Sequence, residues 1–387
     1  MRRLLLVLAV IVVGSLGVVT AATAGADRGP EPLPPVLAQP ATVSFTPSGG
    51  ATGVDPRAPA TVTVADGTLE RVTLTDPDGK VVDGALNADR TGWTSSGAMR
   101  YDTVYTWGGT ASGATGSVPV QGSFTTITPV KIVRGSINIG DNRTVGIAAP
   151  IRLQFKSHIE DRAAAERALS VTTSVPVEGS WAWLPDEGGG SRVDWRPKEY
   201  WPAYTTVTVK AELFGVPYGG GSYGAADVTS TFTIGRAQIV KADATSHRMV
   251  VTRDGKQVAD YPASYGLDSD PNRNTRSGIH VVTEKFTDKR MVSAQYGYDV
   301  MEKWAVRISN NGEFVHANPA SASAQGSANV SHGCVNLSLT DAQAYYDTAL
   351  YGDPVEVTGT QVPLSAKDGD VWDWTLSWEK WKSLSAL

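Results

Sequence analysis

The stretch that organises this sequence is Ser331-His332-Gly333-Cys334-Val335-Asn336, and Phe314-Val315-His316 precedes it at a short distance. Cys334 is the only cysteine in the 387 residues. A histidine near a thiol favours the reactive thiolate, and a glycine beside it lets a substrate approach the backbone closely. The commoner fate of a free cysteine is that of a small buried apolar residue. Because of its neighbours, we predict instead that Cys334 is a nucleophile.

His316 is the predicted general base for this nucleophile. It ends a predicted strand 18 positions before Cys334, and the loop 318–329 between them consists mostly of small residues that allow the two side chains to meet. The imidazole would accept the thiol proton, and the thiolate would attack a carbonyl to form a thioester. The same imidazole would then take a proton from the incoming nucleophile. Backbone N–H groups in the turn through His332, Gly333 and Cys334 are the predicted oxyanion site.

A third group must fix the tautomer of His316. Glu313 is the only acidic residue close to it in sequence, but it lies three positions back and therefore on the opposite face of the strand. The backbone carbonyl of Ala317 is the alternative. The sequence leaves both groups open.

The remaining histidines point to no metal. His280 lies in an apolar predicted strand and is interpreted as a core or pocket residue rather than as a catalyst. Three histidines and one cysteine could suggest zinc, but His332 and Cys334 are two positions apart and lack the paired ligand spacing of a structural site. We therefore expect neither a metal nor an organic cofactor.

The composition is that of a mainly β protein with several domains. Hydrophobic residues make up 41% and charged residues 19%, with 40 glycines and 22 prolines, and helical patterns are few. A chain of 387 residues exceeds one ordinary core, so two to four domains are expected. The net charge of −5 and the absence of a Lys/Arg block give no reason to expect nucleic acid as a partner.

Residues 1–24 form a predicted export segment. Met1-Arg2-Arg3 precedes a long apolar run, and Ala22-Thr23-Ala24 offers a cleavage site for signal peptidase. Because the run is nearly long enough to cross a bilayer, a cleaved signal peptide and a retained N-terminal membrane anchor both remain open. Either one predicts that the body of the chain lies in the cell envelope or cell wall, touching membrane only through such an anchor. Residues 25–40 are rich in proline and form a predicted extended linker.

Two sets of short β segments follow the linker. Residues 41–128 and 129–236 each alternate such segments with Gly, Pro and Asp turns, which predicts two tandem β-sandwiches. The same residue patterns recur in the same order in both sets of segments, and each series begins with a tryptophan, Trp93 in the first and Trp195 in the second. Both tryptophans are interpreted as core aromatics. The stretch from Glu160 to Leu169 is the one helix-like insert.

The cysteine motif lies in a third predicted domain, residues 237–359. Turns at Arg253-Asp254-Gly255-Lys256 and Asn311-Gly312 predict two hairpins, and residues 341–350 form its predicted helix. Residues 360–387 contain four of the 11 tryptophans. We interpret them as a Trp-rich tail that docks on the preceding domain rather than as a glycan-stacking surface.

With His316 and the 18-residue interval, the motif around Cys334 resembles the signature of L,D-transpeptidases with a YkuD-type catalytic domain. The resemblance extends from about Gln238 to the C-terminus. The two preceding sandwiches resemble the immunoglobulin-like modules of actinobacterial members, including mycobacterial ones. The resemblance implies a mainly β chain with two immunoglobulin-like β-sandwiches, a β-rich catalytic domain with a short helix, and a Trp-rich C-terminal tail.

The resemblance also implies a reaction in cell wall biogenesis. Cys334 would be acylated by the third residue of a peptidoglycan tetrapeptide stem, with release of the terminal D-alanine. The acyl group would pass to the side-chain amine of a neighbouring stem and form a 3→3 cross-link. Peptidoglycan stem peptides are then the partners, and carbapenem β-lactams are the expected covalent inhibitors. The alternatives are an L,D-carboxypeptidase that uses water as the acceptor, or a non-catalytic wall-binding protein.

Further site residues follow from the match to the family motif. Cys334 matches the nucleophile, His316 the base, and the backbone around Gly333 the oxyanion site, with the Ala317 carbonyl as the orienting group. The positions expected to support the motif or contact substrate are Tyr298 in a flap, Trp304 in a lid, Ser331, His332 and Asn336, with His280 as a further pocket candidate.

The chain departs from its mycobacterial relatives directly after the base. Where they read His-Ser-Ala-Pro-Trp, this chain reads His316-Ala317-Asn318-Pro319-Ala320. Loss of the serine side chain is tolerable if its carbonyl orients the histidine. The missing tryptophan is expected to change the shape of one pocket wall, and with it the choice of acyl donor.

Overall fold

The computed structural model describes residues 39–366 and 371–387. The predicted export segment, residues 1–24, lies outside the described residues, as do residues 25–38 of the predicted linker. Of the helices that the structure describes, none combines the length and the apolarity needed to span a membrane. Strands dominate the described part, and they form two sandwiches followed by a third β-rich domain.

The first sandwich buries the inner faces of two sheets. Its strands are β1 (Thr42–Thr46), β2 (Thr61–Ala65), β3 (Gly67–Thr75), β4 (Gly84–Leu86), β5 (Gly92–Ser95), β6 (Val104–Gly113), β7 (Gly116–Pro119) and β8 (Gly122–Thr125). One sheet has the order β1-β2-β5-β4, and the other has the order β3-β6-β7 with β8 beside β6. Alternation sends Val62 and Val64 inward. The core includes Trp93, as predicted, in edge contact with Trp107 at 5.5 Å between ring centroids.

The second sandwich repeats this plan and adds a small third sheet. Its elements are β9 (Lys131–Val133), β10 (Gly135–Ile137), β11 (Thr144–Val145), β12 (Ile151–Phe155), α1 (Arg162–Arg167), β13 (Leu169–Thr173), β14 (Gly179–Glu187), β15 (Gly190–Pro197), β16 (Thr206–Ala211), β17 (Pro217–Gly219), β18 (Ser222–Gly224) and β19 (Val228–Ile234). The sheet orders are β10-β12-β15-β14, β11-β19-β16-β13 and a small β17-β18-β9. Trp195 is buried, as predicted, and stacks on Trp201 at 4.8 Å. The helix-like insert is α1, which begins after Asp161, whose side chain accepts from the Ala164 N–H.

The third domain contains the cysteine motif. Its elements are β20 (Gln238–Asp243), β21 (Arg248–Arg253), β22 (Lys256–Pro262), β23 (Gly278–Val281), β24 (Glu284–Ser293), β25 (Tyr298–Arg307), β26 (Phe314–Ala317), β27 (Val335–Leu337), α2 (Leu339–Thr348) and β28 (Pro354–Thr358). The sheet orders are β22-β21-β20-β28-β23 and β24-β25-β26-β27. The predicted helix begins two residues early, at Leu339, because Ser338 is its N-cap and accepts from the Asp341 N–H at 3.1 Å.

The Trp-rich tail packs back on the second sandwich, as predicted. It contains a 3-10 turn at Asp373–Thr375 and the short helix α3 (Trp378–Lys382). The guanidinium carbon of Arg196, on β15, lies 4.6 Å from the ring centre of Trp374, 5.4 Å from that of Trp378 and 4.8 Å from that of Trp381. The tail therefore ties the end of the third domain to the sandwich before it.

Candidate active site

Two short strands bring the catalytic candidates together. β26 and β27 pair in parallel, with Val315 opposite Val335 and His316 opposite Asn336. Cys334 directly precedes β27, and its side chain lines the same cavity as that of His316. The pairing of these strands therefore brings His316 and Cys334, which are 18 positions apart in the sequence, to the same cavity.

His316 is oriented by its own neighbour. It is 3% exposed, and its Nδ1 lies 2.9 Å from the backbone oxygen of Ala317, which leaves Nε2 for the thiol. Glu313 belongs to a different cluster, where it accepts from Ser309 Oγ at 2.6 Å and from the Arg276 N–H at 2.9 Å. Of the two orienting groups that the sequence leaves open, the structure places the Ala317 carbonyl on the imidazole.

The electrostatics of His316 favour a protonated imidazole. Burial acts to lower its pKa, but the interactions with Cys334 and with the carboxylate of Glu302 outweigh burial and raise the pKa to about 10. The Cys334 side chain is partly buried, and its Sγ lies 3.6 Å from the backbone oxygen of Gly312. The imidazole therefore keeps a proton that it takes from the thiol, and this leaves Cys334 as the thiolate that acts as the nucleophile.

The turn before Cys334 is fixed by side chains on both sides. Gly333 has φ of +119°, a conformation that side chains rarely adopt. Its N–H donates to Ser331 Oγ at 3.1 Å, and Ser331 Oγ donates to the Cys334 oxygen at 2.6 Å. Thr275 Oγ1 donates to the Gly333 oxygen at 2.9 Å. Ser331 is therefore a support of the turn, as its place in the motif predicts.

These bonds narrow the predicted oxyanion site. The Gly333 N–H is already bonded to Ser331, whereas the Cys334 N–H meets no acceptor within residues 39–366 and 371–387. Of the three amides in the predicted oxyanion turn, that of Gly333 is occupied, and those of His332 and Cys334 have no acceptor in the described residues.

The cavity in front of Cys334 has a volume of about 320 Å³. Asn336 lines the cavity but is 2% exposed, and its buried Oδ1 finds no hydrogen-bond partner in the described part of the chain. Ala320, where the resemblance leads us to expect a tryptophan, is exposed and lines the cavity with a small side chain. The lining residues are Met291, Tyr298, Val300, Glu302, His316, Asn318, Ala320, Ser321, Val330, Ser331, His332, Cys334 and Asn336.

A hairpin of β24 and β25 covers one side of the cavity. Tyr298, at the start of β25, lies 5.3 Å from the ring of His332, and Tyr296 lies 4.5 Å from it. Burial, and then the charge of Arg273, lower the pKa of His332. His332 is thus an exposed ring that contacts two tyrosine rings at the edge of the cavity. Tyr298 is in the position predicted for a flap residue.

The structure places two of the predicted contact residues elsewhere. His280 is completely buried, with Nδ1 3.2 Å from the Ile308 oxygen and Nε2 2.8 Å from the Arg276 oxygen. It is a core residue, because both of its ring nitrogens are occupied by backbone. Trp304 packs on Tyr346 of α2 at 5.3 Å and is not among the residues that line the cavity. Their assignment to the substrate pocket is corrected accordingly.

Glu302 is the site residue that sequence reasoning missed. It lines the cavity, and its Oε2 lies 3.6 Å from His316 Nδ1. Its position 14 residues before His316 carries no motif, and only the register of β25 against β26 brings the two together. No group of three or more His, Cys, Asp or Glu in the described residues is arranged to hold a metal ion.

The chain is similar to known proteins along most of its length. Residues 51–217 match a bacterial Ig domain model, and residues 237–357 match the L,D-transpeptidase catalytic domain model, YkuD. L,D-transpeptidase 5 of Mycobacterium tuberculosis is 54% identical over 365 residues, which are 94% of this chain and 79% of that protein. L,D-transpeptidase 2 of Mycobacterium tuberculosis is 36% identical over 385 residues, or 95% of this chain and 92% of that protein.

One solved structure, of the LD transpeptidase LdtMt1 in complex with imipenem, superposes with a TM-score of 0.50 at 32% identity. The match covers 59% of this chain and 100% of that one. By fold, by catalytic-domain match and by identity over most of its length, the chain belongs to the L,D-transpeptidase family with a YkuD catalytic domain.

Proposed function

We propose that the protein is a peptidoglycan L,D-transpeptidase that forms 3→3 cross-links through a thioester on Cys334. The observation that carries the proposal is the buried His316, held by the Ala317 carbonyl at Nδ1 and facing the cavity of Cys334. It is a nucleophile and base pair with an orienting acceptor, which is the minimum set for acyl transfer.

The first half-reaction acylates the enzyme. The thiol proton moves from Sγ to His316 Nε2, and the thiolate attacks the carbonyl carbon of the third residue in a tetrapeptide stem. The Cys334 N–H donates to the oxygen that becomes negatively charged. When the tetrahedral intermediate collapses, the C–N bond to the terminal D-alanine breaks, and its nitrogen takes the proton from His316.

The second half-reaction transfers the acyl group. The neutral side-chain amine of an acceptor stem attacks the thioester carbonyl and loses a proton to His316. Collapse of the second intermediate breaks the C–S bond and forms the new amide. The thiolate then takes the proton back from the imidazolium, so one histidine serves both steps.

The cavity accounts for recognition and inhibition. Asn336 and Tyr298 line the cavity and are the side chains that contact the bound stem. Carbapenems carry a strained cyclic amide in place of the stem carbonyl, and we propose that they acylate Cys334 as the ring opens. The complex of the similar LdtMt1 with imipenem supports this proposal.

A second candidate function is L,D-carboxypeptidase activity, favoured by the small, exposed side chain of Ala320 in the cavity wall. Water that enters there could hydrolyse the thioester in place of an acceptor amine. The site of action that we propose is the cell envelope outside the plasma membrane, because peptidoglycan lies there and residues 1–24 carry an export signal.

The experiment that separates these functions is incubation of the protein with a disaccharide-tetrapeptide, followed by mass spectrometry of the products. A cross-linked dimer and released D-alanine support the transpeptidase, whereas a trimmed tripeptide alone supports the carboxypeptidase. Formation of neither product by the folded protein would refute both. The matched control is Cys334→Ala, which should form no product.

A further inference from the structure

The cavity contains one carboxylate that the proposed mechanism does not yet use. Glu302 is a residue of β25, its side chain is 15% exposed, and its Oε2 lies 3.6 Å from His316 Nδ1. That distance is too long for a hydrogen bond, and Nδ1 already donates to the Ala317 oxygen at 2.9 Å. The contact is therefore between charges.

A bulge in β25 directs Glu302 towards His316. Near the hairpin turn, Val306 pairs with Val315 and Arg307 with Phe314, but beyond the bulge Lys303 pairs with Ala317, so one extra residue stands on β25. Because Lys303 lies opposite Ala317, the neighbouring residues Glu302 and His316 both point to the other face of the sheet.

Without the bulge, the register would move by one residue. Asn318 would then lie opposite Lys303, and Glu302 would point to the other face of the sheet. The bulge contains Trp304 at φ of +55°, a conformation that is uncommon for any residue other than glycine. The backbone of Trp304 is therefore strained at the bulge that determines the direction of the Glu302 side chain.

We propose that Glu302 is a positioning residue that acts through His316, stabilising its imidazolium so that Cys334 is held as a thiolate. The proposal rests on the proposed roles of Cys334 and His316. The Ala317 carbonyl supplies the hydrogen bond that sets the tautomer, and Glu302 supplies the negative charge that a carbonyl lacks. The proton that leaves Sγ resides on Nε2, while the Nδ1 proton stays in place between Ala317 and Glu302.

The surroundings make Glu302 effective. An opposite charge within about 4 to 6 Å typically shifts a pKa by about 1 to 3 units, and Glu302 contributes to the raised pKa of His316. The other ionisable groups in the cavity, Tyr298 and His332, contact each other rather than the imidazole. Cys334 and Glu302 are thus the charges that face His316, on its two nitrogens.

The test compares Glu302→Gln, which keeps the shape and removes the charge, with Glu302→Asp. The control is Asp288→Asn, which removes an exposed carboxylate from the facing strand β24, where Asp288 pairs with Lys303 at 2.7 Å. The first readout is the titration of His316 by NMR in protein labelled at its five histidines. The second is the pH profile of Cys334 alkylation by iodoacetamide, which needs no peptidoglycan.

We expect Glu302→Gln to lower the pKa of His316 by about 1 to 3 units. The rate of alkylation near neutral pH should fall by about 10-fold or more, with partial recovery in Glu302→Asp and a wild-type profile in Asp288→Asn. A wild-type titration and alkylation profile in Glu302→Gln would overturn the proposal. An effect confined to the KM for the acceptor stem would also overturn it, because Glu302 would then bind the acceptor amine. Both results would leave the proposed function standing, because that function is tested separately by product formation in the wild type and in Cys334→Ala.

Discussion

Thr275→Val tests the way in which the fold holds the catalytic turn. Thr275 is completely buried, and its Oγ1 accepts from the Gly266 N–H at 2.8 Å and donates to the Gly333 oxygen at 2.9 Å. Valine has nearly the same shape but lacks the hydroxyl, so the substitution leaves a buried donor and a buried acceptor without their partner. Each such group costs about 1 to 3 kcal/mol. We expect a loss of about 2 to 6 kcal/mol in the free energy that holds the turn closed.

The assay is native-state hydrogen exchange of the peptide that contains Gly333 and Cys334. A loss of about 2 kcal/mol corresponds to about a 30-fold fall in protection. Acylation of Cys334 by a carbapenem should slow as well, because the Cys334 N–H is no longer held in place. The control is Thr252→Val, whose hydroxyl donates to the Ile239 oxygen at 3.2 Å within a sheet remote from the turn. Unchanged protection and an unchanged acylation rate in Thr275→Val would refute this reasoning.

Two further predictions concern the docked tail. Arg196→Met removes the guanidinium that lies among three indole rings, and with it the 2.9 Å hydrogen bond to the Leu376 oxygen. Limited proteolysis should therefore cut the tail faster by about 10-fold or more. An unchanged rate of cleavage would contradict this. Burial and the Asp194 carboxylate raise the pKa of Asp373 from 3.8. Its contribution to stability is therefore complete below pH 3.8 and is lost as the pH rises through the raised value. Asp373→Asn should flatten the fall of Tm with rising pH, and parallel curves for the two proteins would contradict this.

The parts of the site that could be predicted from the sequence are those that lie close together along the chain. Ser331, Gly333 and Cys334 form one turn, and the strand that contains His316 needs only one parallel pairing to reach it. The alternation of Val62 and Val64 in β2 has the same local character. The repeated tryptophans also predict the two sandwich cores correctly, because a large aromatic residue in a β segment has few stable positions other than the core.

The parts that could not be predicted depend on register and on partners far along the chain. The choice of Ala317 over Glu313 depends on Ser309 and Arg276, which occupy the Glu313 carboxylate. Glu302 was missed because an unseen bulge reverses the face on which it lies. The sequence leaves His280 between the core and the pocket, and only the two backbone oxygens that it contacts show that it lies in the core.

The central claim is that Cys334 carries the acyl group. It is tested most directly by trapping the enzyme after brief reaction with a tetrapeptide stem and mapping the modified peptide by mass spectrometry. We predict a hydroxylamine-sensitive adduct of the stem, shortened by its terminal D-alanine, on the peptide that contains Cys334, and no such adduct in Cys334→Ala. Cross-linked product formed by Cys334→Ala, or an adduct on another residue that goes on to product, would contradict the account.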